Sequence, residues 1–292
     1  MLSHLLSRPE ELKNQIVAIP REAADYPAQW RGLSDAPERV YALGDLRLLR
    51  RRKLAIVGSR RTPANALKLG AEIAKTLSGE FAIVTGTADG GDTAAIAGGL
   101  DGGGLGLLAG GFSALPQGNL PLLERVAKQG LLLAVHDFDV PVRNFSYGYR
   151  NKLLAALAEG VFVISAGEKS GALLTAQAAR EFQKPLFAFP YPPNAQAGAG
   201  CNQLIKQGAY LVENAADIAE KFGVDLTETK RTVSLSADEE SLYAALQELT
   251  EAHASELAAK TGVPVFKLRA ILSSLEVKGL LVSLGGNRYA VV

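Results

Sequence analysis

Short apolar runs alternate with longer segments of helical spacing through the middle of the chain. The runs LAIVG, FAIVT, LGLLAGG, LLLAV, VFVIS and PLFAFP each have the length of a buried strand. Helical spacing covers residues 63–77, 120–129, 149–158 and 172–182. Strands and helices that alternate in this way form a parallel sheet with helices on both faces. The pattern predicts an α/β fold with a Rossmann-like, doubly wound, mostly parallel sheet over residues 50–226.

The last part of the chain has a different pattern. Three helical stretches cover residues 238–249, 254–261 and 265–278. The segment LLVSLGGNRYAVV then predicts a hairpin that turns at Gly285 and Gly286. Three helices followed by a hairpin are typical of a winged helix, which the pattern predicts over residues 237–292.

Two further segments complete the predicted domain organisation. Residues 227–236 are polar and have no apolar period, so we interpret them as a linker. Residues 1–49 remain as an N-terminal extension that packs on the Rossmann-like domain. Acidic residues outnumber basic ones in the winged-helix region, which favours a protein contact there over strong duplex binding.

Composition and charge narrow the class of protein. The 292 residues have a formal net charge of +1, so a polyanion would have to be bound by a local patch of cations. The chain has no signal-peptide pattern and no apolar run long enough to span a membrane. We therefore expect a cytoplasmic protein without a membrane partner.

The residues of common catalytic and metal sites are scarce. The chain contains three histidines, far apart in sequence, and one cysteine, so it predicts no internal disulfide and no metal site built on histidine or cysteine; a site built on carboxylates alone stays open. It contains no G-x-S-x-G motif, and no glycine turn matches the dinucleotide fingerprint. We predict no catalytic residue and no cofactor.

Four glycine-rich turns are candidate ligand sites, namely GSRRT, GTADGG, GEKSGALLT and AGAGCN. Ligands of such sheets bind beyond the carboxyl ends of the strands, where these turns are expected. In the second turn, Gly86, Gly90 and Gly91 could direct backbone amides at an anion, and Asp92 is expected to cap the following helix.

Cations lie within the first turn and in a run before it. Gly58 is expected to end a strand, and Arg60 would then point to where a phosphate would lie, although a solvated surface arginine has the same signature. The upstream run RLLRRRK either extends a basic strip or is a solvated connector.

Aromatic and cationic residues alternate in NFSYGYRNKLLAAL. Phe145 and Tyr147 lie close to Arg150 and Lys152, ahead of the predicted helix. Aromatic rings stack on bases and cations bind phosphates, so the mixture fits single-stranded nucleic acid. It fits the edge of an ordinary core equally well.

Taken in order, several segments resemble the DprA/Smf family of bacterial DNA-processing proteins, over nearly the whole chain. They are YPAQWRGLSDAPERVYALGDLRLL, LAIVGSRRT, VTGTADGGDTAAIAGGL, YRNKLLAALAEGVFVISAGEKSGALLTAQAARE, GCNQLIKQGA and the winged helix. The resemblance implies a homodimer that binds single-stranded DNA and helps load the RecA recombinase in natural transformation, with no established catalysis.

The resemblance also implies site residues. Those with a counterpart in the family's motifs are Gly58, Ser59 and Arg60 of G-S-R, Arg150, Asn151 and Lys152 of R-N-R, Ser170, Gly171 and Thr175 of S-G-x-L-x-T, and Asn202 of G-x-N. The glycine turn with Gly86, Thr87, Gly90 and Gly91 departs from the family pattern, because Asp89 replaces a basic residue. Like charges 4 Å apart repel by about 4 kcal/mol at an effective dielectric of 20, so Asp89 is expected to weaken phosphate binding.

Two other functions remain open. A small-nucleotide-binding sensor or a phosphoribohydrolase-like enzyme would use Asp89 to bind ribose hydroxyls or as an acid or base. The P-G-G-x-G-T-x-x-E signature of those hydrolases is missing from the chain. A ligand-responsive transcription regulator would use the winged helix, but residues 265–276 are only weakly basic.

Overall fold

The computed structural model describes residues 6–226, 235–278 and 280–291. The chain forms two compact units, Met1–Thr229 and Lys230–Val292. Most of the predicted linker, residues 227–234, lies outside the described residues. In the described part of the chain, no helix is both long and apolar enough to cross a membrane.

The first unit contains one sheet of nine strands with helices around it. Its strands are β1 Val17–Pro20, β2 Arg39–Gly44, β3 Lys53–Gly58, β4 Ala82–Thr85, β5 Leu105–Leu107, β6 Leu131–Ala134, β7 Gly160–Ser165, β8 Leu186–Ala188 and β9 Tyr210–Leu211. The α-helices described in this unit are α1 Pro9–Lys13, α2 Ala28–Arg31, α3 Ala64–Leu77, α4 Gly91–Gly99, α5 Leu120–Gln129, α6 Asn144–Leu157, α7 Ala172–Glu181, α8 Ala199–Lys206 and α9 Ala215–Lys221. The predicted α/β fold is confirmed.

The order of the strands in the sheet locates its ligand crevice. The order is β1-β2-β6-β5-β4-β3-β7-β8-β9, and the strands from β6 to β9 in this order are parallel. The chain winds outward from β3 through β4, β5 and β6, and then crosses to β7 on the other side of β3. A crevice opens beyond the carboxyl ends of two such neighbouring strands where the winding reverses. The switch point lies between β3 and β7.

Both faces of the sheet are buried, which explains the continuous apolar runs of its strands. Along β3, Ala55 and Val57 belong to one core cluster, and Leu54 and Ile56 belong to another. Successive side chains of a strand point to opposite faces, so β3 supplies both cores.

Residues before β3 contribute to the same sheet. Strands β1 and β2 form its antiparallel edge, since β2 pairs with β6 and β1 pairs with β2. Trp30 is fully buried, and its indole Nε1 donates a hydrogen bond to the carbonyl of Leu153, 2.8 Å away, on α6. The segment predicted as an extension thus supplies two strands and a core side chain.

The basic run RLLRRRK does not form a free cationic strip. Arg47 is bound by Asp45 and Arg50 by Asp25. Arg51 donates to backbone carbonyls, and Arg52 is paired with Glu159. The last residue of the run, Lys53, begins β3 and is buried, and its Nζ donates to the carbonyls of Leu49 and Arg51. The run thus lies at the amino end of the parallel strands and opposite the crevice, so the basic-strip interpretation is wrong.

Within residues 235–278 and 280–291, the second unit has three helices and a three-stranded sheet. Its elements are α10 Ala237–Leu249, β10 Glu251–His253, α11 Ala254–Thr261, α12 Val265–Val277, β11 Leu281–Gly285 and β12 Arg288–Val291. Strand β12 pairs with both β10 and β11. Leucines of all three helices, among them Leu246, Leu257 and Leu272, form its core. The predicted winged helix is confirmed, with β10 as an additional strand.

Candidate functional site

A cavity of about 780 Å³ opens at the switch point of the sheet. Its walls are the turn after β3, the loop after β7, one face of α6 and the residues around Gln196 and Ala197. Three of the four glycine-rich turns selected from the sequence thus contribute to one cavity. The second, GTADGG, supplies Ala88 to its wall, so all four turns meet here.

Close backbone packing fixes the turn after β3. The N–H of Gly91 donates to the carbonyl of Ser59, 3.1 Å away. A Cβ on Gly91 would overlap the backbone of Gly58, and Gly90 has a φ of +85°, which side chains rarely adopt. These two glycines lie behind the turn and hold Ser59 and Arg60 at the cavity.

A buried ion pair forms the floor of the cavity. The Nη1 atom of Arg150 lies 3.7 Å from Oδ2 of Asp92, and both side chains are at most 7% exposed. Burial raises the pKa of Asp92, whereas Arg150 and backbone N–H groups, including those of Gly58 and Ala88, lower it. Burial also lowers the pKa of Arg150, against the effect of Asp92. Both shifts express the cost of removing the pair from water.

The prediction that Asp92 caps a helix is wrong. Gly90 is the N-cap of α4, and the carboxylate of Asp92 instead accepts from the N–H of Gly58, 3.1 Å away, and of Ala88, 3.3 Å away. Asp92 therefore joins the turn after β3 to the turn after β4, because it binds the backbone of both.

The Arg150 guanidinium fills a space beside Gly86 and has one unsatisfied donor within the described residues. A Cβ on Gly86 would overlap the guanidinium, so the arginine occupies the space that a side chain there would take. Its buried Nε atom has no hydrogen-bond partner in the described part of the chain. A buried donor without an acceptor is rare in proteins, and it marks Arg150 as a residue whose hydrogen bonds are incomplete.

Cations and one aromatic ring line the walls above this floor. Arg60, Arg61 and Lys169 are exposed, and within the described ranges none of them forms an ion pair with a carboxylate. The Tyr147 ring is close to two guanidinium groups, since those of Arg60 and Arg150 each lie 5.9 Å from its centroid. The walls can therefore attract an anion and offer a ring surface beside it.

The loop after β7 closes the opposite side. Ser170, Gly171 and Thr175 line the cavity, and Asn151 donates from Nδ2 to the carbonyl of Gly171, 3.2 Å away. The loop leads into the N-terminus of α7, where the N–H groups of Ala172, Leu173 and Leu174 donate to Ser170 and Gly171. The dipole of α7 still favours an anion at this end. Glu168 lies in the same loop as an exposed carboxylate.

A second, smaller cavity of about 100 Å³ adjoins the first. Arg60 and Tyr147 line both cavities, so their side chains separate the two. Gly86, Thr87 and Asp89 belong to the small cavity only. Thr87 has a φ of +64°, an uncommon conformation for a β-branched residue and a source of local strain.

Comparison with known proteins identifies the family. The family model described as "DNA recombination-mediator protein A" matches residues 17–223, and the model of the "DprA winged helix domain" matches residues 227–287. The chain belongs to the DprA family. It is 34% identical to the DNA processing protein DprA of Bacillus subtilis over 212 residues, which cover 71% of each chain. It is 35% identical to a putative DprA of Mycobacterium tuberculosis over 266 residues, 87% of this chain and 68% of that protein.

Two solved DprA structures are also similar. DprA of Streptococcus pneumoniae superposes with a TM-score of 0.67 at 29% identity, over 73% of this chain and 77% of that chain. DprA of Helicobacter pylori gives a TM-score of 0.65 at 27% identity, over 71% and 95%, and its structure describes a single-stranded DNA binding mode of that protein.

The predicted site residues of helix α6 lie on two different faces of the helix. It begins at Asn144, earlier than predicted, so Phe145 and Tyr147 lie within it. Tyr147, Arg150 and Asn151 have the spacing of one helix face and line the large cavity. Phe145 and Lys152 lie seven positions apart on another face, outside both cavities just described.

Three of the predicted site residues occupy other surroundings. The Nζ atom of Lys152 lies 2.7 Å from both carboxylate oxygens of Asp35, in the segment before β2. Asn202 binds the backbone N–H and carbonyl of Tyr191 through its two amide atoms. Phe145 is 69% exposed, with the Arg143 guanidinium 6.0 Å from its centroid.

Sequence reasoning missed several residues of the two cavities. Arg61 and Lys169 lie in turns that were selected for their glycines, and Gln196 directly precedes the turn AGAGCN. Asn119 of the small cavity donates from Nδ2 to the carbonyl of Thr87, 3.2 Å away, and no sequence signal marks it.

Proposed function

We propose that this DprA-family protein binds single-stranded DNA in the large cavity and helps load the RecA recombinase during recombination or natural transformation. It would do so in the cytoplasm and without turnover. Membership of a family described as recombination mediators supports the proposal, as does the DNA-binding mode described for the Helicobacter pylori relative.

The observation that carries the proposal is the set of unpaired cations at the switch point. Arg60, Arg61 and Lys169 would bind successive phosphates at the cavity walls. The buried guanidinium of Arg150 and the N-terminus of α7 would bind a phosphate that enters more deeply. Bases would stack on Tyr147, or on the exposed Phe145 outside the cavity, where any base offers a ring face.

Fluorescence anisotropy of a labelled single-stranded oligonucleotide at 50 and 200 mM salt tests this mechanism, with a duplex of the same length for comparison. If three cations each neutralise a phosphate, the affinity should fall about twentyfold between the two salt concentrations. An affinity that does not change with salt would contradict the phosphate contacts.

The variant Arg60→Ala should weaken binding and reduce the slope of log affinity against log salt by about 0.7, because one phosphate contact is lost. Arg50→Ala is the matched control, since Arg50 is an exposed arginine at the opposite end of the parallel strands. Equal affinities of wild type and Arg60→Ala would remove Arg60 from the site.

The RecA step needs its own assay. We expect that the protein shortens the delay before RecA assembles on single-stranded DNA already covered by a single-strand-binding protein. RecA-dependent ATP hydrolysis reports that assembly, and Arg60→Ala should shorten the delay less. If the wild type saturates the DNA and still does not shorten the delay, DNA binding occurs without recombinase loading. That result would contradict the RecA step and leave the DNA-binding step intact.

One observation favours the alternative of a small-nucleotide-binding protein. The volume of the large cavity, about 780 Å³, falls within the range of small-molecule sites. Competition decides between them. A free nucleotide that displaces the oligonucleotide at micromolar concentration would favour the alternative, whereas displacement only by polynucleotide favours DNA binding.

A further inference from the structure

The small cavity has the chemistry of a site for one base edge. Its walls are mostly apolar or backbone, from Leu108, Ala114, Pro116 and Val142, with the Tyr147 ring between it and the large cavity. Few polar side chains reach it, and two of them carry opposite charge, Arg60 and Asp89. An apolar slot with a few placed polar groups is typical of a site that recognises a small ring.

Asp89 and Arg60 are both available to a ligand. Both side chains are exposed, and in the described part of the chain no ion pair joins them to each other. The charged groups of the slot are thus one acceptor, the Asp89 carboxylate, and one donor, the Arg60 guanidinium; Thr87, Asn119 and Tyr147 add neutral polar groups. A phosphate would satisfy only the guanidinium and would be repelled by the carboxylate.

A base with an amino group beside a ring acceptor complements this pair. Cytosine carries a donor at N4, which a carboxylate can accept, and acceptors at N3 and O2 for the guanidinium. Uracil and thymine carry the O4 acceptor at the same position, which would face the carboxylate. The small volume of the slot, about 100 Å³, favours a pyrimidine over a purine.

We infer that Asp89 makes the small cavity a base-selective subsite that prefers cytosine over uracil or thymine in bound single-stranded DNA. The inference rests on the proposed function, because the base would be presented by a strand held at the large cavity. In this arrangement Tyr147 lies between the phosphates and the base, and Arg60 can contact either.

Paired oligonucleotides isolate the group that Asp89 would contact. Oligo-dC and oligo-dU of equal length differ at position 4 of the base, where an amino group replaces a carbonyl, and at the protonation of N3. Wild type should bind oligo-dC about fivefold more tightly at neutral pH, the lower end of the discrimination expected from a direct base contact. In Asp89→Ala the two affinities should become equal. In Asp89→Lys both should rise and the preference should turn towards oligo-dU, because an ammonium donates to O4 and not to the N4 amino group.

Glu168→Ala is the matched control, because it removes an exposed carboxylate from the large cavity instead of the small one. It should change both affinities by the same factor and keep the preference. Equal affinities in wild type, or a preference that survives in Asp89→Ala, would overturn the inference and leave the proposed function intact. Failure of wild type to bind either oligonucleotide would overturn the proposed function itself.

A ribose contact is tested with oligo-rC. If wild type prefers oligo-rC over oligo-dC, and this preference is lost in Asp89→Ala but kept in Glu168→Ala, the Asp89 carboxylate binds a sugar hydroxyl. The base assignment is then wrong. Equal binding of the two sugars, together with the preference for dC over dU, supports the base contact.

Discussion

Single side chains at the switch point are held by contacts that span the sequence. Arg150 of α6 pairs with Asp92 of α4 and fills the space beside Gly86. Asp92 in turn binds the backbone of Gly58 and Ala88. The position of one guanidinium therefore depends on two turns, the one after β3 and the one after β4, and a change in either should reach the floor of the cavity.

Gly86→Ala tests this dependence. The added methyl group would overlap the guanidinium of Arg150, so either the arginine or the turn must move. Overpacking of this kind lowers the free energy of unfolding by about 1–3 kcal/mol, and binding of single-stranded DNA should weaken as well. Urea unfolding and anisotropy measure the two effects.

Gly32→Ala is the control for that substitution, because a Cβ there meets no atom within 4 Å. Its unfolding free energy and its DNA affinity should match the wild type. If Gly86→Ala also matched the wild type, the guanidinium would not be held by the absence of a side chain at residue 86.

At the scale of elements, hydrophobic periodicity predicted the strands that are continuous apolar runs and missed the short or irregular strands. The strands β3, β4, β6 and β7 follow from apolar runs that are buried on both faces. Strand β10 has the sequence EAH and no alternation that distinguishes it from a loop. Strands β1 and β2 lie in a segment rich in turns and charges, and they are strands because they pair with each other and with β6.

The sequence predicted where the site lies, but it did not predict how the side chains of the site contact one another. The carboxyl ends of parallel strands meet at one edge, so the glycine turns indicated where a ligand would bind. The pairing of Asp92 with Arg150 is a tertiary contact. The preferences of residues for helix caps describe local sequence only, so they cannot predict it. A predicted start of α6 at residue 149 left Tyr147 outside the helix, so the face that it shares with Arg150 and Asn151 was not predicted.

One element of the winged helix carries a pH-dependent contact. The Lys278 ammonium, the N–H of Ser236 and the Ser274 hydroxyl all donate to Glu239, and they lower its pKa to about 2 from 4.5. A carboxyl whose pKa is lowered by folding contributes stability above its unfolded pKa and loses it as the pH falls. The contact between α10 and α12 should therefore weaken from about pH 4.5 down to about 2.

Hydrogen exchange of residues 237–249 in the full chain measures this contact. Glu239→Gln should lower protection at pH 7, and the difference from wild type should shrink at low pH as the wild-type carboxyl becomes protonated. Glu240→Gln is the control, because Glu240 is an exposed neighbour on the same helix. Equal losses in both variants would assign the effect to helix charge rather than to this contact.

At the scale of the whole molecule, the two edges of the large sheet differ. Strand β9 exposes two adjacent apolar side chains, Tyr210 at 43% and Leu211 at 45%. Strand β1, at the other edge, ends in Pro20, which cannot donate a ladder hydrogen bond. An apolar edge strand readily pairs with another chain, so we propose β9 as the interface of the homodimer that the family resemblance implies.

Leu211→Lys should convert the proposed dimer into a monomer, because a charge on an edge strand opposes pairing. Light scattering after size-exclusion chromatography measures the mass. Val17→Lys places the same charge on β1, where Val17 is 46% exposed, and should leave the dimer intact. A dimer in Leu211→Lys with a monomer in Val17→Lys would assign the interface to the opposite edge.

The buried indole that joins the N-terminal segment to α6 has an optical consequence. Trp30 is the only tryptophan of the chain, and it belongs to the first of the two units. Its emission reports the unfolding of that unit alone, whereas far-ultraviolet circular dichroism reports the helices of both. Melting curves recorded by the two methods will coincide only if the Rossmann-like unit and the winged helix unfold together, so the wild-type chain carries its own test of whether its halves are thermodynamically coupled.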